Sequence, residues 1–267
     1  MTSSRATTDQ EIKACCAGAY SSDWVRFLIG DSMHPGGVGL TERLGDLLQL
    51  RPRSRVLDVA AGRGISALAL ARRFGCHVVG IDLSPANVLA ARNQAVQTGL
   101  ARSTSFDVAD AEVLPFAAGD FDAVICECAF CTFPDKARAA SEMARVMRPG
   151  GRLGLSDLAR RGELPGELQT LAGWVACIAD ARSEAEYVQV LGAAGFRQSR
   201  HEIHDDALIR MVDDIRGRLL GATLFAKLGK LDLAGTDLAE AGAIARAADA
   251  AVRSGLLGYI LLTVVKG

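Results

Sequence analysis

Long apolar segments are absent from this 267-residue sequence, which contains no run of eighteen or more apolar residues. A transmembrane helix needs about twenty such residues, so we expect no membrane span and no membrane partner. The first residues also lack the basic segment and apolar block of a secretory signal. We therefore expect a cytoplasmic protein.

An excess of one charge is absent as well. The 30 Lys and Arg residues balance 31 Asp and Glu residues, which gives a formal net charge of −1. Nucleic-acid-binding domains usually carry a basic surface, so we expect no nucleic-acid partner. Hydrophobic residues make up 49% of the chain and charged residues 23%, as in an ordinary globular protein with a sizeable core.

The seven cysteines are an odd number, and their spacing is not that of a disulfide framework. Free thiols fit a reducing compartment such as the cytoplasm. Cys126, Cys128 and Cys131 lie within six positions of one another, but the sequence supplies no second C-x-x-C or histidine pair to complete a zinc site. The plainer interpretation of Cys126 and Cys76 is a small buried core residue.

Short apolar runs alternate with longer amphipathic stretches from residue 55 onward. This alternation predicts a mostly parallel, doubly wound Rossmann-like α/β sheet, with an N-terminal helical arm and a C-terminal helical insertion before the last strand. The predicted strands are 55–60, 77–84, 104–110, 121–128, 151–158 and 258–267, and the predicted helical segments are 65–75, 85–100, 137–151 and 205–255. We expect the first fourteen residues to be a loosely ordered arm.

Acidic residues and glycines mark the predicted carboxyl ends of the strands, where doubly wound sheets bind ligands. Gly62 and Gly64 follow the first strand in "VLDVAAGRG", and Asp58 lies inside that apolar strand, where an unpaired carboxylate would be costly. Asp82 follows about twenty residues later, the spacing at which an acidic residue reaches ribose hydroxyls. Asp110 ends the third strand. Because the third glycine of the dinucleotide fingerprint is missing, the pattern favours a nucleoside-type cofactor.

Five successive motifs resemble those of class I S-adenosylmethionine-dependent methyltransferases: "VLDVAAGRG", "VVGIDLS", "DVADAEVLPF", "FDAVICE" and "ARVMRPGGRLGLSD". The resemblance implies an enzyme with S-adenosyl-L-methionine as cofactor. It implies that Gly62 and Gly64 approach the methionine part, that Asp58 holds its amino group, that Asp82 binds the ribose and that Asp110 binds the adenine amine. The other residues implied in the cofactor site are Ala60, Leu83, Asn87, Ala111 and Glu127.

Two segments, "CAFCTFPDKARAASEMARVMRPGG" and "WVACIADARSEAEYVQVLGAAGF", resemble the arsenite methyltransferases, which hold trivalent arsenic on cysteine thiolates. This resemblance implies arsenite as the methyl acceptor and a reduced thiol such as glutathione as a partner. It implies Cys128 and Cys177 as catalytic arsenic ligands, with Cys16 or Cys15 as the N-terminal one. Soft thiolate sulfur is the donor that a soft ion prefers.

Other functions stay open at this point. An organic metabolite methylated on oxygen, nitrogen or sulfur is one alternative, and His34 or Glu127 would then serve as general base for a hydroxyl. A non-catalytic thiol or metalloid sensor is the alternative from another class. The sequence predicts three parts: residues 1–50 as an arm packing over the active site, 51–204 as the cofactor-binding core, and 205–267 as a helical cap with the final strand.

Overall fold

The computed structural model describes residues 8–228 and 238–267. The strands are β1 (Arg55–Val59), β2 (His77–Asp82), β3 (Thr104–Val108), β4 (Phe121–Glu127), β5 (Met147–Arg160), β6 (Phe196–Ile203) and β7 (Leu257–Lys266). They form one sheet in the order β3-β2-β1-β4-β5-β7-β6. The strands β1 to β5 pair in parallel, whereas β7 is antiparallel to both β5 and β6. The predicted Rossmann-like fold is confirmed.

Ten helices accompany these strands in the described part of the chain. They are α1 (Asp9–Ser21), α2 (Asp23–Ile29), α3 (Gly37–Leu47), α4 (Ile65–Phe74), α5 (Pro85–Gln97), α6 (Lys136–Val146), α7 (Leu171–Val175), α8 (Glu184–Ala193), α9 (Asp205–Lys227) and α10 (Leu238–Arg253). Within the two described ranges, none of these helices has the length and apolar character needed to cross a bilayer.

Alternate residues of each central strand pack on opposite faces of the sheet. On one face, Val56 and Ile125 pack with side chains of α3, α4, α5, α9 and α10. On the other face, Leu57 and Val124 pack with side chains of α6 and α8. The sheet is therefore buried on both faces, as its near-continuous apolar strands predict.

The N-terminal arm differs from the sequence prediction, because residues from Asp9 onward form the regular helix α1. The Thr8 hydroxyl accepts a hydrogen bond from the Glu11 main-chain N–H, and the Glu11 carboxylate accepts the Thr8 N–H at 2.7 Å. Such a reciprocal capping box stabilises a helix start and is readable as Thr-x-x-Glu. The first seven residues of the predicted arm lie outside the described residues.

Three further features of the secondary structure differ from the prediction. The helix predicted over 137–151 ends at Val146, because β5 begins at Met147. The helical segment predicted over 205–255 is two helices, α9 and α10, and residues 229–237 between them lie outside the described residues. The strand β6 was not predicted, because its residues are almost all exposed and polar and it pairs only with β7 at the sheet edge. The division into three parts stays a prediction.

Candidate active site

The turn after β1 is built from residues with left-handed backbone conformations. Ala60, Gly62 and Gly64 have φ angles of 60°, 53° and 80°. A Cβ on Gly64 would lie 2.8 Å from the Phe106 ring and 2.9 Å from the Ala91 Cβ, so only glycine fits there. This turn keeps the backbone close to the end of the sheet, and the space above the turn stays open.

Asp82, the last residue of β2, fixes the position of this turn. Its Oδ2 accepts the Gly62 main-chain N–H at 2.9 Å. Its Oδ1 accepts the Ser84 N–H at 2.8 Å and the Asn87 side-chain amide at 3.3 Å. Burial raises the pKa of the Asp82 carboxyl, and these three hydrogen bonds act in the opposite direction. The carboxylate therefore joins the β1 turn to the start of α5.

Asp58 has a buried carboxyl with an unsatisfied atom. Its side chain is 2% exposed, and its Oδ2 has no hydrogen-bond partner among the described residues. Burial raises the pKa of Asp58 well above its ordinary value, and the nearby charges of Glu127 and Asp82 raise it further. A buried carboxylate oxygen without a donor, facing a pocket, fits a cationic ligand group such as an ammonium.

Glu127 and His34 belong to one buried polar network beside Asp58. The Thr41 hydroxyl donates to Glu127 Oε2 at 2.9 Å, and His34 Nε2 lies 3.3 Å from that hydroxyl and 3.7 Å from Glu127 Oε2. The Ser156 hydroxyl lies 3.5 Å from Glu127 Oε1 and receives a hydrogen bond from the Tyr259 hydroxyl at 2.9 Å. The network links the last strand, β7, to this carboxylate.

Asp110 stands at the far end of the same pocket. Its Oδ1 accepts the Glu112 main-chain N–H at 2.9 Å, and its Oδ2 lies 2.8 Å from Lys13 Nζ. Lys13 also contacts the Glu112 carboxylate. The N-terminal helix α1 therefore reaches over this end of the pocket through Lys13, a residue that the sequence analysis did not name.

These groups line a pocket at the carboxyl ends of the strands. Of the residues expected to bind cofactor, those lining it are Asp58, Ala60, Gly62, Asp82, Leu83, Asn87, Asp110, Ala111 and Glu127. Gly64 does not line it and instead shapes the turn. A buried orphan carboxylate for an amino group, an aspartate at the end of β2 for ribose hydroxyls and an acidic far end together fit S-adenosylmethionine.

Two of the predicted cysteines meet beside this pocket. The Cys177 Sγ lies 2.9 Å from the Tyr20 hydroxyl and 3.3 Å from the Cys128 carbonyl oxygen. Hydrogen bonds from the Cys128 and Cys131 thiols lower the pKa of Cys177 well below its ordinary value. Cys131, which the family pattern does not require, is therefore part of this thiol cluster (Cys128, Cys131 and Cys177).

Cys126 and Cys128 lie on opposite sides of the sheet, although strand alternation places them on the same face. Cys126 is buried in the core that contains Val124, whereas Cys128 packs with the core that contains Ile125. Cys128 follows the end of β4 and has a φ of 50°, which turns its side chain to the other side. The expectation of a shared face was wrong for this reason.

The N-terminal cysteines face different cavities. Cys16 lines the cofactor pocket, and burial raises its pKa to about 12, with the charges of Cys177 and Cys15 adding to the effect. Cys15 instead lines a second cavity. In the residues that the structure describes, no group of three or more His, Cys, Asp or Glu side chains is arranged to hold a metal ion.

The second cavity is larger, roughly 720 Å³, and mostly apolar. Its walls come from α1, α2, α7, α9 and α10, and they include Trp24, Leu28, Val175, Ile178, Met211, Ile215, Leu219, Ile244 and Ala248. Tyr20, Met33 and Cys128 line both cavities, so the two meet there. Glu240 is the single charged side chain among its described lining residues.

His34 and Glu127, the candidate bases of the sequence analysis, line the cofactor pocket and are not among the residues that line the apolar cavity. The sequence analysis did not identify Lys13, Met33 or Tyr20 as site residues. The helical spacing of Lys13, Cys16 and Tyr20 on one face of α1 was a usable signal, but only once that segment was known to be helical.

Comparison with known proteins identifies the central segment. Residues 57–155 match the protein family described as a methyltransferase domain. This segment runs from β1 into β5 and carries the glycine turn, Asp82 and Asp110. The expected enzyme class is confirmed for this segment, which is a methyltransferase domain, and the residues lining the pocket fit the expected cofactor, S-adenosylmethionine.

Among curated relatives, the methyltransferase GfsG of Streptomyces halstedii is 36% identical over 153 residues, which are 57% of this chain and 55% of that protein. An arsenite methyltransferase of Halobacterium salinarum is 28% identical over 189 residues, which are 67% of this chain and 47% of that protein. This chain thus spans about half the length of the curated relatives it matches.

The fold extends further than these sequence matches. The crystal structure of the [4+2]-cyclase SpnF has a TM-score of 0.77 with this chain at 23% identity, covering 98% of this chain and 97% of that one. Because a cyclase shares the fold, the fold alone does not determine the reaction.

Cofactor binding is expected to release a proton from Asp58. The raised pKa keeps this carboxyl protonated to a higher pH in the cofactor-free protein, whereas a bound amino group favours the ionised form. Affinity for S-adenosylhomocysteine should therefore rise with pH up to the raised pKa. By the same linkage, the raised pKa of Asp58 contributes stability to the cofactor-free fold that is fully present below the unfolded-state pKa and is lost as pH rises from there through the folded-state pKa.

Calorimetric titration with S-adenosylhomocysteine in buffers of different ionisation enthalpy measures this release. Asp58→Asn should bind more weakly and release no proton, whereas Asp107→Asn, at an exposed aspartate on β3, should behave like the wild type. Binding of S-adenosylhomocysteine that is independent of pH and of buffer would contradict the assignment.

Proposed function

We propose that this protein is an S-adenosylmethionine-dependent methyltransferase whose acceptor is an apolar organic small molecule. The observation that carries the proposal is the apolar cavity of roughly 720 Å³, which meets the cofactor pocket at Tyr20, Met33 and Cys128. Ligand sites are typically concave, mostly apolar and provided with a few convergent polar groups, and this cavity has those properties.

When bound, S-adenosylmethionine supplies a methyl group on a positively charged sulfur. The task of the chain is then to hold the acceptor in line, because proximity and orientation can lower a barrier by about 7–11 kcal/mol at best. Asp58, Asp82 and Asp110 would hold the cofactor at one side of the junction. The apolar helices would hold the acceptor at the other side and exclude water from it.

An acceptor at this junction would meet few polar groups. The hydroxyl of Tyr20 and the sulfurs of Cys128 and Cys177 are the ionisable groups beside it. His34 and Glu127 lie within the polar network of the cofactor pocket, so we assign them to holding the cofactor rather than to accepting a proton.

Release of S-adenosylhomocysteine tests the proposed function. The purified protein is incubated with S-adenosylmethionine and with alcohols, phenols, amines and thiols of graded size and polarity. Turnover that increases with the apolar size of the acceptor supports the proposal. Turnover only with small hydrophilic acceptors contradicts it. Tight cofactor binding without product from any acceptor supports the non-catalytic sensor instead.

Trivalent arsenic is a second candidate acceptor, favoured by a separate observation. Cys128 lines both cavities where they meet, Cys177 lines the apolar cavity and Cys16 lines the cofactor pocket. The lowered pKa of Cys177, caused by the neighbouring thiols, favours the thiolate form that binds soft ions. With arsenite as acceptor, the partner would be a reduced thiol such as glutathione and the compartment a reducing cytoplasm. All seven cysteines are free, as they would be in such a compartment.

Replacement of Cys128 with serine is expected to distinguish the two acceptors. Arsenite-dependent turnover, measured in excess glutathione with arsenic speciation of the products, should fall at least about 100-fold because a soft ion loses a sulfur ligand. Turnover of an organic acceptor should stay within several-fold of the wild type. Cys76→Ala, at a buried core thiol remote from both cavities, is the matched control. Arsenite turnover that survives Cys128→Ser would exclude the thiol cluster as its site.

A further inference from the structure

The helix α1 forms a wall shared by the two cavities. Lys13, Cys16 and Ala17 line the cofactor pocket, whereas Cys15 and Ala19 line the apolar cavity. Residues three and four apart on a helix share a face, so these are two faces of one helix. A movement of α1 would therefore open both cavities together.

Two contacts hold the C-terminal end of α1. The Tyr20 hydroxyl donates to the Val175 carbonyl oxygen at 2.8 Å. The Arg63 guanidinium, on the turn after β1, donates to the Ser21 carbonyl oxygen at 3.2 Å. Neither contact involves the end of the pocket where Asp110 lies.

Lys13 holds the N-terminal half of α1 in place. Its Nζ lies 2.8 Å from Asp110 Oδ2 and also contacts Glu112, whose side chain is 8% exposed. Among the described residues, the ion pairs of Lys13 connect α1 to the segment that follows β3. The lysine is itself 21% exposed, so water screens this contact less than it screens a surface ion pair.

We propose that Lys13 is a positioning residue that holds α1 across the bound cofactor and so couples cofactor binding to completion of the acceptor cavity. The bridge to Asp110 and Glu112 fixes the helix at the adenine end, and the opposite face of the same helix then walls the apolar cavity. Because coupling between two sites is reciprocal, cofactor should strengthen binding in the apolar cavity and an apolar ligand should slow cofactor release. The coupling between the two cavities rests on the proposed function, whereas the role of Lys13 in retaining the cofactor does not.

The rate at which S-adenosylhomocysteine dissociates tests the hold on the cofactor without any acceptor. Lys13→Gln should dissociate about tenfold faster, because it removes a charged contact of about 1.4 kcal/mol that must break for the helix to open. Lys13→Arg keeps the positive charge and should therefore restore a rate near that of the wild type. A role that depended only on the length of the side chain would not require this result. Arg43→Gln removes an exposed ion pair with Glu202 away from the pocket and is the control. A Lys13→Gln rate equal to that of the wild type would overturn the proposal.

Fluorescence of the neutral apolar dye Nile red tests the coupling. In the wild type, S-adenosylhomocysteine should tighten dye binding several-fold, and in Lys13→Gln this effect should disappear. Equal tightening in both proteins would overturn the coupling. The two proposals fail differently: no dye binding under any condition contradicts the apolar acceptor site, while the dissociation rate still decides whether Lys13 holds the cofactor.

Discussion

Replacing Asp82 with alanine is expected to weaken S-adenosylhomocysteine binding at least about 100-fold, corresponding to roughly 3 kcal/mol. The carboxylate has two tasks at once. It anchors the Gly62 and Ser84 main-chain N–H groups at 2.9 and 2.8 Å, which shapes the pocket, and it stands at the end of β2 where ribose hydroxyls bind. Hydrogen bonds to a charged group contribute about 1.5–3 kcal/mol each, so losing two of them accounts for the effect.

The measurement is a calorimetric titration at a pH where the wild type binds tightly. Asp107→Ala is the matched control, because Asp107 lies on the neighbouring strand β3, pairs with Arg92 at the surface and does not line the pocket. We expect Asp107→Ala to bind like the wild type. If Asp82→Ala bound S-adenosylhomocysteine nearly as tightly as the control, the cofactor would not occupy this pocket as described.

Filling the apolar cavity is expected to abolish turnover of large acceptors and to leave cofactor binding intact. Ala245, on α10, lines that cavity, and Ala245→Trp would place an indole inside it. Because the cavity offers roughly 720 Å³, the larger side chain fits without the strain that overpacking a filled core causes. We expect turnover of an apolar acceptor to fall at least about 100-fold, since a misplaced acceptor loses the benefit of orientation.

Ala243→Trp is the control for this change. Ala243 lies on the same helix but is exposed and does not line the cavity. Steady-state turnover and the affinity for S-adenosylhomocysteine are measured for both variants. Full activity of Ala245→Trp towards a large acceptor would place that acceptor elsewhere. Loss of organic turnover with retention of arsenite turnover would indicate that both acceptors reach the junction by different routes.

The sequence was sufficient to predict the parallel part of the fold and the position of the cofactor pocket. Apolar strands followed by glycine or aspartate produce a strong local pattern, and parallel strands bring their carboxyl ends to one edge. That pattern alone places Asp58, Asp82 and Asp110 near one another. The strand β6 gave no such pattern, because an exposed polar edge strand has neither alternation nor an apolar run.

The apolar cavity could not be predicted in the same way. Its walls are side chains from five helices that are distant in the sequence, and helical periodicity shows that a face is apolar without showing what it faces. The direction of the Cys128 side chain could not be predicted either, because it depends on a single backbone angle after the end of β4. Tertiary packing decides both features.

Backbone strain is concentrated around the two cavities. Among the described residues, seven other than glycine have a positive φ, and Met33, Ala60, Cys128 and Cys177 of this set line the cofactor pocket or the apolar cavity. Such a conformation costs of order 1 kcal/mol for a residue with a side chain. Selection for thermal stability alone would therefore favour glycine at these positions, and variants found in that way should be more heat-resistant yet poorer enzymes.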